Sequence, residues 1–406
     1  MKQIDKILET LEKEQNYRRF IPQKHQGLWI ATQKSWLFNC ASNDYLNLAC
    51  DEELKSEFLS SRLYRENLYL SASSSRSLSG NFLIFGEFEE FLEQTFKSYN
   101  TPQNPLPKKA LLFNSGYHAN VGILSSLAGL KNTLFVADKS IHASCLDGLR
   151  SFKKVAFKRY NHKDMRHLEA ILSESKNYEN IVVLSEGLFS IEGDFAPLKA
   201  LVALKQKYEN IYLYLDEAHS IGSFGDKGLG LSVELGLLGE IDFLVLTFGK
   251  ALGSVGACVL CGEKYREFFI NHSRSLIYST ALPPLNVALS FFNFQKLANL
   301  KTRRNHLKNL SYNFKKSLKE ALDYEVLGDY NIISLVLKTN HKALFFQQSL
   351  AQRGFFSPAI KSPTTPKNKA CLRFSLTSAM PKEKLQELVS VLKEIESEYL
   401  SQHQQS

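Results

Sequence analysis

Six short apolar runs between residues 110 and 262, alternating with amphipathic segments, predict an α/β fold in which helices cover both faces of a mostly parallel sheet. A second observation agrees. The runs carry Glu186, Asp216 and Thr247 to their carboxyl ends, where sheets of this kind bind ligands. The third is a break at ALPP, residues 281–284, where adjacent prolines remove backbone donors and the alternation stops. The expected division is an N-terminal helical arm over 1–42, a large domain over 43–285 and a small C-terminal α+β domain over 286–406.

The first segment, MKQIDKILETLEKEQNYRRF, spaces Ile4, Ile7, Leu8 and Leu11 for a helix and sets charges between them, unlike the continuous apolar core of a signal peptide. No apolar run approaches the roughly 20 residues that a membrane span requires. A cytoplasmic protein without a membrane partner is expected. The six runs follow: ALLF at 110, TLFVAD at 133, IVVLSEG at 181, IYLYLDEAH at 211, IDFLVLTFG at 241 and ACVLCG at 257. Past the proline break a long helical stretch begins near Leu285. At the far end, Leu385, Leu388, Val389, Leu392, Ile395 and Tyr399 form one apolar stripe, expected to dock on a small sheet.

Composition excludes several classes. Hydrophobic residues make up 44% of the 406, enough for a large core. The chain has 50 Lys and Arg against 41 Asp and Glu, but they are scattered rather than blocked, so no nucleic-acid partner is expected and the field favours a polyanionic small substrate. The six cysteines lack the spacing of a disulfide framework, which fits a reducing compartment. Cys258 and Cys261 form a CxxC inside a strand run, where residues three apart face opposite ways, so no metal is expected.

The chemistry concentrates in IYLYLDEAHSIG, 211–222, and TFGK, 247–250. A strand ending in Asp216, with His219 just beyond and Lys250 in a glycine-flanked turn, is the equipment of a pyridoxal 5'-phosphate (PLP) enzyme. The lysine holds the cofactor as a Schiff base, and the carboxylate keeps the pyridine nitrogen protonated. DEAH also suggests the metal-binding acid of a nucleotide-driven helicase, but no GxxxxGK[ST] loop exists to bind the phosphates. A basic, non-catalytic binding module is the remaining alternative from another class.

Other segments admit two readings each. Ser115 and Gly116 in FNSGYHAN open a helix, as a phosphate site or as a plain cap. His142, in a loop after a strand, could stack on a cofactor ring or simply be solvated. SEGLFSIEGDFAPL places Ser190 in a turn whose other residues are accounted for as turn and cap, and LIYSTALPP offers Ser279 and Thr280 or a mere linker.

Taken together and in this order, from SNDYLNL at 42–48 to RFSLTSA at 373–379, these segments resemble the α-oxoamine synthases, fold type I PLP enzymes. That family joins an amino acid to an acyl-CoA thioester with loss of carbon dioxide. Within it, TFGK with RSLIYSTALPP is most similar to members that condense alanine with a pimeloyl thioester; those that use glycine and acetyl-CoA are the alternative. The resemblance implies that Lys250 binds the cofactor, Asp216 pairs with its pyridine nitrogen and His219 bonds its ring hydroxyl. It further implies that His142 stacks on the ring, Ser190 and Thr247 hydrogen-bond the cofactor, and the amides of Gly116 and Tyr117 meet the phosphate. Ser279 and Thr280 would reach the phosphate of a second subunit, giving a homodimer with shared active sites. Arg373 would receive the amino-acid carboxylate beside Asn43, with Arg18 and Thr364 at the acyl substrate. His142 would also lie against the substrate.

The chain departs from the family pattern at four places. SASSSR at 71–76 stands where GSGGSR is usual, so a loop that favours positive φ carries side chains. Lys361 replaces an arginine and loses its planar fork. Met380 and Phe85 each stand where histidine is frequent.

Overall fold

The computed structural model describes residues 2–32, 35–99, 108–152 and 154–403. The chain forms two compact units, one of residues 44–190 and 195–305, the other of residues 1–43, 191–194 and 306–406. The helix Pro284–Lys296 starts at the proline break, with Pro284 in its first turn. Its Phe291 stacks on Phe88 of the helix Leu83–Lys97 at 5.0 Å, and it counts with the larger unit, which continues to Asn305.

The larger unit is built on a seven-stranded sheet. In spatial order its strands are Lys109–Phe113, Ala257–Cys261, Phe243–Thr247, Ile211–Asp216, Asn180–Glu186, Thr133–Asp138 and Ala156–Tyr160. The last five run parallel, and Ala257–Cys261 runs antiparallel to both its neighbours. The sheet is therefore mixed and mostly parallel. Its central strands are buried along their length because helices cover both faces, which is why they read as unbroken apolar runs. Cys258 and Cys261 are both buried in the antiparallel strand, and burial pushes both thiols up, Cys261 to about 12. Among the described residues no cluster of His, Cys, Asp and Glu could hold a metal ion.

In the smaller unit, an antiparallel sheet runs Val326–Leu327, Ile332–Lys338, Ala370–Ser375, Ala359–Ile360. A second sheet joins Lys24–Gln26, Trp29–Ala31 and Trp36–Asn39, with Phe355–Phe356 parallel to the last. The stripe on the helix Lys382–His403 is buried from Leu385 to Ile395, and Tyr399 meets Phe345 of the helix Asn340–Gln352 edge-on at 5.2 Å. The amphipathic helix Lys2–Lys13 leaves Ile4 and Ile7 half exposed.

Candidate active site

Three neighbouring strand ends of the larger unit converge on a cavity of about 240 Å3, lined by Gly116, Tyr117, His142, Asp216, His219, Thr247 and Lys250. The register explains the convergence. Glu186 pairs with Asp216 and Asp216 with Val245, so the carboxyl ends of these strands open on one place. Lys250 follows Thr247 in a turn pinned at both ends: Phe248 N donates to Gly256 O at 2.9 Å and Ser254 N to Phe248 O at 2.9 Å. That turn brings Lys250 Nζ within 2.8 Å of His219 Nε2, while the other ring nitrogen, Nδ1, lies 2.6 Å from the Tyr45 hydroxyl.

Asp216 is buried, and both its oxygens accept: Oδ1 from Ala218 N at 2.9 Å and Oδ2 from Asn120 Nδ2 at 2.8 Å. Across the cavity, His142 heads the helix Ala143–Arg150, and its Nδ1 accepts from Ser144 N at 3.3 Å. The ring keeps an exposed edge, yet the protein around it desolvates the charged form and lowers its pKa. The positive charge of Lys250 adds to this, and Asp216 and Asp147 oppose it. The helix Gly116–Ala128 starts at the cavity with Ser115 as cap, accepting from His118 N at 3.2 Å. The amides of Gly116 and Tyr117 sit in the first turn, where no helical carbonyl reaches them. A side chain at position 116 would place its Cβ 2.5 Å from Thr247 Cγ2, so only glycine fits so near.

Three expected residues stand apart from the lining. Ser190 is half-buried where the chain leaves the larger unit. Ser279 Oγ accepts from Asn114 Nδ2 at 3.0 Å, and Thr280 O accepts from the same amide at 2.7 Å. The remaining candidates lie in the smaller unit. Arg373 is buried and donates to Ser375 Oγ at 2.5 Å and to Asn43 Oδ1 at 3.3 Å. Arg18 and Thr364 line another cavity, of about 730 Å3, with Leu8, Tyr17 and Lys361. Lys361 is lowered by burial and by the charge of Arg18.

Four polar residues around the first cavity escape a motif reading: Tyr45, Asn120, Ser144 and Tyr214. Asn120 lies one helical turn after Gly116, on the same face of that helix, and Ser144 lies in the first turn after His142. Glu217 is the opposite case. It stands inside DEAH but faces away from any metal role, since its buried carboxylate accepts from Ser232 N at 2.8 Å, from Leu231 N and from Ser220 Oγ. Burial raises its pKa while these bonds pull it back, and Gly230, at φ 92°, leaves the room it needs. Phe85, at its unusual position, carries the Arg76 guanidinium on its face at 4.7 Å.

The donor set suits PLP: an amine for its aldehyde, a buried carboxylate, an imidazole, and a helix amino terminus with free amides for its phosphate. The family model described as aminotransferase class I and II matches residues 37–392, and the chain belongs to that family. It is 41% identical over 382 residues to 8-amino-7-oxononanoate synthase of Haemophilus ducreyi, covering 92% of this chain and 96% of that one. A solved serine palmitoyltransferase from S. paucimobilis with bound PLP superposes with a TM-score of 0.84 at 26% identity, over 97% of this chain and 96% of its own. The crystal structure of the Francisella tularensis 8-amino-7-oxononanoate synthase gives 0.73 at 27% identity, over 89% and 99%. The protein is thus a PLP-dependent acyltransferase of the α-oxoamine synthase type, with a fold type I large domain, and neither a helicase nor a binding module.

Proposed function

We propose that the protein condenses L-alanine with a pimeloyl thioester, carried by coenzyme A or a carrier protein, releasing 8-amino-7-oxononanoate, carbon dioxide and the free thiol for biotin synthesis. The names borne by the relatives support the substrates, and the Lys250, His219 and Asp216 cluster in one cavity carries the reading. Lys250 would hold PLP covalently, with Asp216 at the pyridine nitrogen and His219 at the ring hydroxyl. His142 would lie against the ring face and Ser190 and Thr247 beside it, the phosphate resting on the amides of Gly116 and Tyr117. When bound, PLP supplies an electron sink for negative charge at the amino-acid α-carbon. Once the substrate's amino group has displaced it from the aldehyde, the freed Lys250 amine would take the α-proton and return one after carbon dioxide leaves, and His219, 2.8 Å away, would orient that amine. Arg373, braced by Ser375 and Asn43, receives the alanine carboxylate. Arg18 and Thr364 line the acyl chain's cavity.

A homodimer belongs to the same reading. Tyr69, Leu70, Leu78, Leu83 and Tyr278 are exposed large apolar side chains. Backbone bonds from Ala281 N to Ser74 O and from Leu285 N to Tyr69 O draw these two segments into one surface beside Ser279 and Thr280. A partner covering that surface would receive Ser279 and Thr280 at its own phosphate site. A cytoplasmic setting suits the six free cysteines, and no helix among the described residues is long and apolar enough to cross a membrane. The test is product mass spectrometry after incubation with alanine or glycine and with pimeloyl-CoA, pimeloyl carrier protein or acetyl-CoA. Turnover of glycine with acetyl-CoA, and none of alanine with either pimeloyl donor, would overturn the assignment.

A further inference from the structure

An unbroken run of hydrogen bonds links the two sides of the cofactor cavity. The Tyr214 hydroxyl donates to Asn120 Oδ1 at 2.6 Å; Asn120 Nδ2 donates to Asp216 Oδ2 at 2.8 Å and to Ser144 Oγ at 2.8 Å; Ser144 Oγ lies 2.7 Å from His142 Nδ1. Tyr214, Asn120 and Ser144 are buried, so water does not compete with these bonds.

The donor and acceptor inventory fixes every direction in the chain. An ionised Asp216 only accepts, so the amide nitrogen of Asn120 must face it and the amide oxygen must face Tyr214. That nitrogen has two protons, one for Asp216 and one for Ser144 Oγ. Ser144 thereby accepts from Asn120, which leaves its own proton to be donated to His142 Nδ1. The backbone amide of Ser144 points at the same nitrogen from 3.3 Å. Two donors aimed at Nδ1 require it to be unprotonated, which puts the imidazole proton on Nε2.

We infer that Asn120 and Ser144 are positioning residues which hold His142 as its Nε2–H tautomer and tie its orientation to that of Asp216. The two sides of the cofactor ring are then set by one amide: Asn120 aims the carboxylate and, through Ser144, presents a neutral imidazole whose remaining N–H is a donor. A proton arriving at Nδ1 would meet the Ser144 hydroxyl and amide protons, so the relay opposes protonation at that nitrogen. The charged groups around the ring are Asp216, Asp147 and Lys250, and none of them supplies an acceptor to Nδ1 in its place. The inference rests on the PLP site proposed above but not on the identity of the substrates.

The test is nitrogen-15 NMR of the holoenzyme labelled at histidine, with the His142 pair assigned by its loss in His142→Asn. The native protein should show a protonated Nε2 and a bare Nδ1. Ser144→Ala keeps the long amide bond of 3.3 Å but loses the short hydroxyl bond of 2.7 Å and should mix the two tautomers, and Ser144→Thr, which keeps the hydroxyl, should restore one. Asn120→Ala should do both things at once: mix the tautomers and lower PLP retention on dialysis by roughly 10- to 100-fold, the range spanned by one hydrogen bond to a charged group. A protonated Nδ1 in the native holoenzyme, or an unmixed His142 in a folded Ser144→Ala protein, overturns the inference. Because this readout needs no substrate, it can fail while the proposed condensation stands, and the reverse.

Discussion

At the scale of single residues, burial and charge decide what the cavity can do. Desolvation, then the charge of Lys250, lower the His142 pKa, with Asp216 and Asp147 acting the other way. Its folded-state pKa therefore lies below the unfolded value near 6.5, and in the window below that value the unfolded chain binds more protons. Stability should fall as pH drops below about 6.5, and His142→Asn should lose less melting temperature between pH 7 and pH 5 than the native protein, read by calorimetry in buffers of equal ionic strength. Asp216→Asn keeps shape and burial but removes the charge. Its kcat/KM should fall by about 100-fold or more, with a melting temperature within a few degrees of native. Asp216, His219 and Lys250 were legible because each sits at a strand end or in a glycine-flanked turn. Asn120 and Ser144 were not: an asparagine inside a helix and a serine in a first turn resemble ordinary surface and cap residues until tertiary packing buries them.

At the scale of elements, the meeting of the helix Gly116–Ala128 with the end of the strand Phe243–Thr247 sets how near the amides of Gly116 and Tyr117, the proposed phosphate site, come to that strand. Gly116→Ala would drive Cβ against Thr247 Cγ2. PLP retention should drop about tenfold or more, and adding Thr247→Ser, which removes that methyl group, should recover most of the loss; equilibrium dialysis measures both. Glu217 serves a different element, the short helix Leu231–Glu234, whose first amides it accepts. Glu217→Ala leaves three buried donors, the Leu231 and Ser232 amides and the Ser220 hydroxyl, without this acceptor and should cost about 2–5 kcal/mol in denaturant unfolding. The serine-rich loop resolves in a similar way. Ser73 takes a positive φ of 54°, steadied by its amide's bond to Ser71 Oγ at 3.0 Å, so Ser73→Gly should stabilise the fold by about 0.5–1 kcal/mol. The parallel strands were readable as apolar runs because both faces are covered. The antiparallel direction of Ala257–Cys261 was not, since a buried strand has the same composition whichever way it runs.

At the scale of the whole molecule, the exposed apolar surface beside Ser279 and Thr280 is where the proposed dimer would form. If each phosphate site borrows these hydroxyls, inactive Lys250→Ala subunits exchanged with inactive Ser279→Ala/Thr280→Ala subunits should regain activity. In each mixed dimer, one site would combine a native lysine with native hydroxyls. Mixing kinetics after subunit exchange would detect the recovery, and light scattering would give the mass. That surface was hidden in the sequence because its residues come from two distant segments that backbone bonds bring together in the fold. The turn from Phe248 to Gly256 has one more consequence. Its two stems are neighbouring strands of the same buried sheet, clasped at the base, so the segment bearing Lys250, if that amine is the proposed anchor, should hold its place when the vitamin-derived group dissociates. Emptied protein would then keep its anchor point poised, and reloading would be a matter of diffusion and bond formation rather than of refolding a loop.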